Sequence, residues 1–145
     1  MGALMDEVFT PSLRAVFPDE WLAKESVTFL APDGQANVIA SSEPIDESID
    51  TYSYAEMQSQ LLRKEFPDFQ EMDFGPELIL GGRPGYFRVF SWKPPDGVGV
   101  TQMQLYYAQS GRGYTATATT PTSEFPRYEE QLRTCLRNLY LEIER

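Results

Sequence analysis

Histidine is absent from the 145-residue chain, and cysteine occurs once, at Cys135. The first absence removes the commonest general base, and with it His-based triads and most zinc sites. The second excludes an intramolecular disulfide. Basic runs are also missing: twelve Lys and Arg stand against twenty-two Asp and Glu, for a formal net charge of −10. A duplex site needs clustered positive charge to displace counterions. Nucleic acid and anionic membrane are therefore not expected as partners, and solubility is reason enough for the acidity. No stretch approaches the ~20 apolar residues of a membrane-spanning helix. The opening MGALMDEVFTPSLRAVFPDEW has no basic region, apolar run or small-residue cleavage site. It has no cysteine for a lipid anchor, and Asp6 stands where a myristoylation signal wants Ser or Thr. The expectation is a cytoplasmic protein without membrane insertion.

What is present describes a folded domain. Apolar residues make up 41% of the chain and aromatics 13%, which argues against disorder. The length fits a single domain over 1–145 that buries a core without staples. Residues 1–17 read as an N-terminal extension of mixed signals, with Glu7 to Val16 broken by Pro11. Ser26 to Leu30 and Ala36 to Ser42 read as strands around the turn Pro32-Asp33-Gly34. Ser53 and Glu56 have capping-box spacing. Tyr54, Met57, Leu61, Leu62 and Phe66 follow at helical spacing up to Pro67. Four strand segments come next: Phe69 to Leu80, broken by Gly75-Pro76, then Tyr86 to Trp92, Val98 to Ala108 and Tyr114 to Thr120. The Gly- and Pro-rich turns between them predict an antiparallel meander. Phe125, Tyr128, Leu132, Leu136, Leu139 and Ile143 predict a last helix from Ser123 to Ile143, with Pro126 in its first turn. The pattern is α+β: an antiparallel sheet of about six strands with two main helices packed on one side.

Candidates for catalysis are few, and no enzyme is expected. Asp46/Glu47/Asp50, Glu71/Asp73 and Glu129/Glu130 all sit in polar segments and read as solvated charge. Glu43, Asp46 and Asp50 lack the glycine and terminal glutamate of a calcium loop. Cys135 falls among Leu132, Leu136 and Leu139, a buried apolar setting with no base. Gly97-Val98-Gly99 and Gly111-Arg112-Gly113 open no helix and read as hairpin turns, not phosphate loops. No metal or cofactor is expected.

The strand faces are more informative. Alternation puts Met103, Leu105 and Tyr107 on one face and Gln102, Gln104 and Tyr106 on the other. It likewise separates Tyr114, Ala116 and Ala118 from Thr115, Thr117 and Thr119. One face is thus apolar. The other is polar, uncharged and partly aromatic, which suits a binding groove for a protein segment. An ordinary wet sheet face would look the same, since Thr is favoured in strands. From the pattern alone both readings stand.

The ordered set SVTFLAPDG, ANVIASSEP, YAEMQSQLLRKEFPDF, LGGRPGYFRVFSW, VTQMQLYYA and GYTATATTP, closed by an amphipathic helix, resembles the DcrB-like family. That family lies within the PsbP-like α/β/α sandwich group, and the resemblance covers about Pro18 to Leu141. In size, acidity and lack of a signal the chain is similar to the cytoplasmic Eag-type chaperones of type VI secretion. These hold the apolar N-terminal helices of an effector and help load it on the secretion spike. The resemblance implies a chaperone or adaptor, acting as a homodimer, with Gln58, Gln102, Gln104 and Tyr106, the small polar Ser41 and Ser42, and the apolar Val38 and Ile39 as partner-binding residues. A membrane helix in water exposes apolar surface that aggregates, and its packing uses small residues and side-chain hydrogen bonds. The alternative is a PsbP-like accessory subunit of some other complex. An enzyme would need an unusual carboxylate or tyrosine centre.

Overall fold

The structure is a computed structural model that describes residues 18, 20, 21 and 24–141. The predicted element at Glu7 to Val16, and Ile143 of the last helix, lie outside the described residues. Six strands form one antiparallel sheet: β1 (Glu25–Leu30), β2 (Asn37–Pro44), β3 (Gln70–Ile79), β4 (Arg83–Trp92), β5 (Val100–Gln109) and β6 (Arg112–Pro121), in the order β1-β2-β6-β5-β4-β3. Helix α1 (Thr51–Glu65) joins β2 to β3, and α2 (Phe125–Arg137) follows a short 3-10 turn at Thr122–Glu124. Consecutive strands β3 to β6 pair as hairpins, as the turn residues predict. The β5–β6 turn is a tight two-residue loop with φ of 52° at Ser110 and 78° at Gly111, the primed geometry that matches strand twist.

The two helices lie on opposite faces, which corrects the expectation that both would sit on one. α2 packs on the face that carries Val38, Phe87, Val89, Met103, Leu105, Ala116 and Ala118, with Tyr128, Leu132 and Leu136 pointing inward. α1 covers part of the other face, placing Tyr54 and Ala55 against Tyr106, Phe74 and Tyr86. Alternation made the second face look free because its side chains are polar. It did not show that aromatic rings at Tyr86, Phe74 and Tyr106 on that same face offer α1 an apolar seat.

Boundaries shift for local reasons. α1 starts two residues before Ser53: its N-cap is Asp50, whose carboxylate accepts the Ser53 N–H at 2.8 Å, so Ser53 is inside the helix and not its cap. β3 runs through Gly75-Pro76 without a break. It is an edge strand, where the missing proline N–H faces no partner, and a bulge between Glu71 and Asp73 lets Met72 project outward. α2 ends at Arg137, and Leu139 and Leu141 pack on the core from the segment after it. The hairpin β1–β2 is tied to α2 by its turn: Tyr128 donates its hydroxyl hydrogen to Asp33, and Arg127 lies 3.5 Å from the same carboxylate.

Two outcomes follow. Leu136 is fully buried between α2 and the sheet, so Leu136→Ala should lower unfolding free energy by about 2–5 kcal/mol in urea denaturation. The Tyr128 hydrogen bond, then the Gln35 N–H, hold the Asp33 carboxyl below its ordinary 3.8. A depressed carboxylate stabilises the fold above its unfolded pKa and loses that contribution as pH falls through the folded value. Thermal melts should therefore show an acid limb below about pH 4, and Asp33→Asn should flatten it. An unchanged limb would place the acid sensitivity at Asp46 and Asp50, which serine and backbone bonds also depress.

Candidate functional site

The face opposite α2 divides into two halves. Register places Gln102, Gln104 and Tyr106 of β5 opposite Thr119, Thr117 and Thr115 of β6. These stand opposite Asn37, Ile39 and Ser41 of β2, and beyond them lie Leu30, Thr28 and Ser26 of β1. Among the described residues, α1 packs over β4 and β5 and reaches β6 through Tyr54. The β6–β2–β1 half lies beside it: Ser26, Thr28 and Leu30 are exposed and Ile39 is 37% exposed. Its three cross-strand rows carry hydroxyls, one amide and two aliphatic side chains, and charge begins only at Glu43.

α1 forms the wall of this half. The Tyr54 ring lies over Gly113, where a Cβ would meet it at 2.5 Å, so glycine is required there for the helix to approach β6. The Tyr54 hydroxyl bonds Glu43 at 3.2 Å and Thr115 at 2.9 Å. Burial pushes its pKa up to about 12. Gln58 and Leu61 follow Tyr54 at helical spacing on the same side. Leu61 is 51% exposed and Met57, further out, 42%. An apolar rim thus flanks the hydroxyl-lined strands.

Under α1, Arg88 of β4 organises the covered half. Its side chain is 1% exposed. Nε donates to Glu71 at 2.8 Å and Nη1 to the Tyr106 hydroxyl at 2.9 Å and, at 3.4 Å, to the Ala55 carbonyl of α1. The guanidinium lies 4.3 Å from the Phe74 ring centre and 5.2 Å from that of Tyr106, so cation–π attraction adds to the hydrogen bonds. Burial pushes the Tyr106 phenol far up, and that phenol donates to Gln104 Oε1. Gln104 Nε2 reaches Thr117 at 3.1 Å. One row out, Trp92 Nε1 donates to Gln102, which donates to Thr119.

Of the residues expected to bind a partner, Ile39, Ser41, Gln102 and Gln104 share the face, and Gln58 overlooks it from α1. Tyr106 lies on the same face but is fully covered, and Gln104 is buried as well. Val38 and Ser42 point the other way, because period-2 alternation separates them from Ile39 and Ser41. Val38 is in the core under α2, and Ser42 bonds Glu25 and Arg112. Thr117 and Leu61, which the pattern places on the polar face and in the α1 stripe, are not among the residues expected to bind a partner, and Arg88 is not marked at all. The one signal for Arg88 is a lone charge inside the aromatic strand YFRVFSW.

A separate hollow of about 180 Å³ lies on the α2 face, lined by Val27, Ala40, Leu105, Ala116, Leu139 and Leu141. It is smaller than the usual ligand pocket and sits beside the segment leading to residue 142. Cys135 is half-buried, and burial raises its thiol pKa. The described residues contain no cluster of three or more metal-ligating acids, cysteines or histidines, and no helix long and apolar enough to cross a membrane.

No family profile matches the sequence, and no curated protein matches it. Solved structures share the fold. PA94 from Pseudomonas aeruginosa, a protein of unknown function, superposes with a TM-score of 0.76 at 18% identity, over 88% of this chain and 90% of that one. Cyanobacterial PsbP (CyanoP) from Synechocystis sp. PCC 6803 gives 0.56 at 9% identity, over 81% and 79%. LpqN, involved in cell envelope biogenesis in Mycobacterium tuberculosis, gives 0.54 at 16%, over 83% and 76%. The fold is therefore PsbP-like α+β, with a six-stranded antiparallel sheet and two helices.

The Arg88 cluster makes a stability ranking. Removing one partner of a buried pair leaves the rest without compensation. Glu71→Gln leaves the sealed guanidinium without its counter-charge and should cost about 3 kcal/mol or more in urea denaturation. Arg88→Met should cost less, about 1–2 kcal/mol, because the Glu71 left behind is 30% exposed and can rehydrate. A reversed order would make the packing of the Arg88 side chain, and not its pairing with Glu71, the larger contribution.

Proposed function

We propose that the protein is a non-catalytic binding domain that holds an apolar helical segment of another protein against the β6–β2–β1 half of its sheet. One observation carries this reading. The bare half presents hydroxyls of Ser26, Thr28, Ser41, Thr117 and Thr119 without a charge among them, beside the exposed apolar side chains Ile39, Leu61 and Met57. A chain with net charge −10 keeps this patch neutral. Such a surface supplies apolar contact and scattered hydrogen bonds, the two things an apolar helix meets when packed in a membrane.

The resemblance to Eag-type chaperones gives the reading its sharper form. The segment belongs to the N-terminus of a secreted effector, and the protein keeps it from aggregating in the cytoplasm until it is loaded on a type VI secretion spike. Two copies acting together fit the contrast between the sheet's edges. β3 carries a bulge, Pro76, Glu71, Asp73 and Glu77, all devices that discourage edge pairing. β1 has neither bulge nor proline, and it exposes Leu30 at 74% and Phe29 at 37%, so a second copy would pair there. The alternative is an accessory subunit of a soluble complex, favoured by the PsbP-like fold.

The test is a titration of isotope-labelled protein with a synthetic 20-residue Leu/Ala/Gly helix, followed by amide shifts. Changes should concentrate on Ile39, Ser41, Thr117 and the Gln58–Leu61 side of α1. Changes restricted to the α2 face, or none, would sink this reading and favour the accessory subunit.

A further inference from the structure

The hydrogen bonds across the binding face have a direction, and the direction is fixed at the end that α1 covers. An arginine has donors only. Arg88 Nη1 lies 2.9 Å from the Tyr106 hydroxyl, so that oxygen accepts, and the phenol hydrogen goes to Gln104 Oε1. With its oxygen taken, Gln104 turns its amide nitrogen to Thr117 Oγ1 at 3.1 Å. An amide nitrogen donates, so Thr117 Oγ1 accepts, and its own hydrogen points away from β5. The next row runs the same way. The Trp92 indole, also donor only, bonds Gln102 Oε1 at 2.9 Å, and Gln102 Nε2 bonds Thr119 Oγ1 at 2.7 Å.

The three threonines then differ. Tyr54 donates to the Glu43 carboxylate, so Thr115 spends its hydrogen on the Tyr54 oxygen at 2.9 Å. Thr119 stands opposite the amide of Asn37, whose buried Oδ1 is an acceptor with no partner among the described residues. Thr117 stands opposite Ile39, which offers none. Among the described residues its Oγ1 has one hydrogen bond, the one from Gln104.

We propose that Thr117 is the hydrogen-bond donor that β6 contributes to the binding face and takes a main-chain carbonyl oxygen of the bound segment, with Arg88, Tyr106 and Gln104 as positioning residues that aim it. The proposal rests on the function given above and adds the chemistry of recognition. In a formed helix every interior N–H is used, but each carbonyl keeps a second lone pair. Hydroxyl donors add to such carbonyls within helices already. A donor is thus the one polar group that an apolar helix can still satisfy. A face of acceptors would find nothing to bind and would prefer unfolded chain.

Two measurements decide it. Neutron diffraction from deuterium-exchanged crystals should place the Thr117 hydroxyl deuterium off the Gln104–Thr117 line, with a Gln104 amide deuterium on it. A Thr117 deuterium on that line, facing Gln104 Oε1, overturns the proposal. In titrations with the same Leu/Ala/Gly peptide, Thr117→Val should weaken binding about 3- to 10-fold, the effect of one net hydrogen bond, and Thr117→Ser should restore it. Wild-type binding that Thr117→Val leaves unchanged overturns the proposal alone. A peptide that binds none of the three proteins sinks the functional reading and this proposal together.

Discussion

A guanidinium sealed under a helix is the constraint on which the rest of this structure depends. Arg88 is almost without solvent, and an unpaired buried charge would be ruinous. The fold meets it from every side: a carboxylate from β3, a phenol from β5, a carbonyl from α1 and two aromatic faces. Because those groups come from three other elements, Arg88 fixes how α1 lies across the sheet. Replacing such a cluster with apolar side chains can be neutral for stability. What the ionic form adds here is orientation, since only a donor-only group at this point sets the sense of the bonds that run outward to β6.

The sheet has a division of labour between its faces. The α2 face is an ordinary core, closed by Leu132 and Leu136 against aliphatic strand residues. The other face is half core and half surface, and α1 marks the border. Tyr54 stands on that border, with its ring over Gly113 and its hydroxyl between Glu43 and Thr115. The helix therefore does not slide to cover the bare half, because the ring is seated where no side chain can enter.

Much of this was legible in the sequence. Alternation in VTQMQLYYA and GYTATATT sorted the two faces correctly, and turn chemistry gave the meander and its order. The side of α1 was not legible. Periodicity reports that a helix has an apolar stripe, not which sheet face receives it, and here the seat is made of rings and aliphatic stems that read as polar or amphipathic. The same limit explains Val38 and Ser42, chosen by segment and not by parity with Ile39 and Ser41. The Asp50 cap was hidden because Ser53 offered an equally good signal three residues on. Arg88 was visible as a charge among aromatics, but its partners lie on other elements, and no local pattern joins Glu71, Ala55 and Tyr106.

The strand order has a consequence for how the bare half comes to exist. β3 to β6 close through hairpins of near neighbours. β2 reaches β6 only across about half of the chain, and Arg112 meets Ser42 over 70 positions of sequence. Closing so long a loop costs chain entropy before any contact repays it. The meander therefore acts as a template, and the β1–β2 hairpin is the late arrival that turns one edge of β6 into a broad surface. The surface assigned to partner binding is in that sense an assembly product of the fold, present only when its two most distant pieces have met.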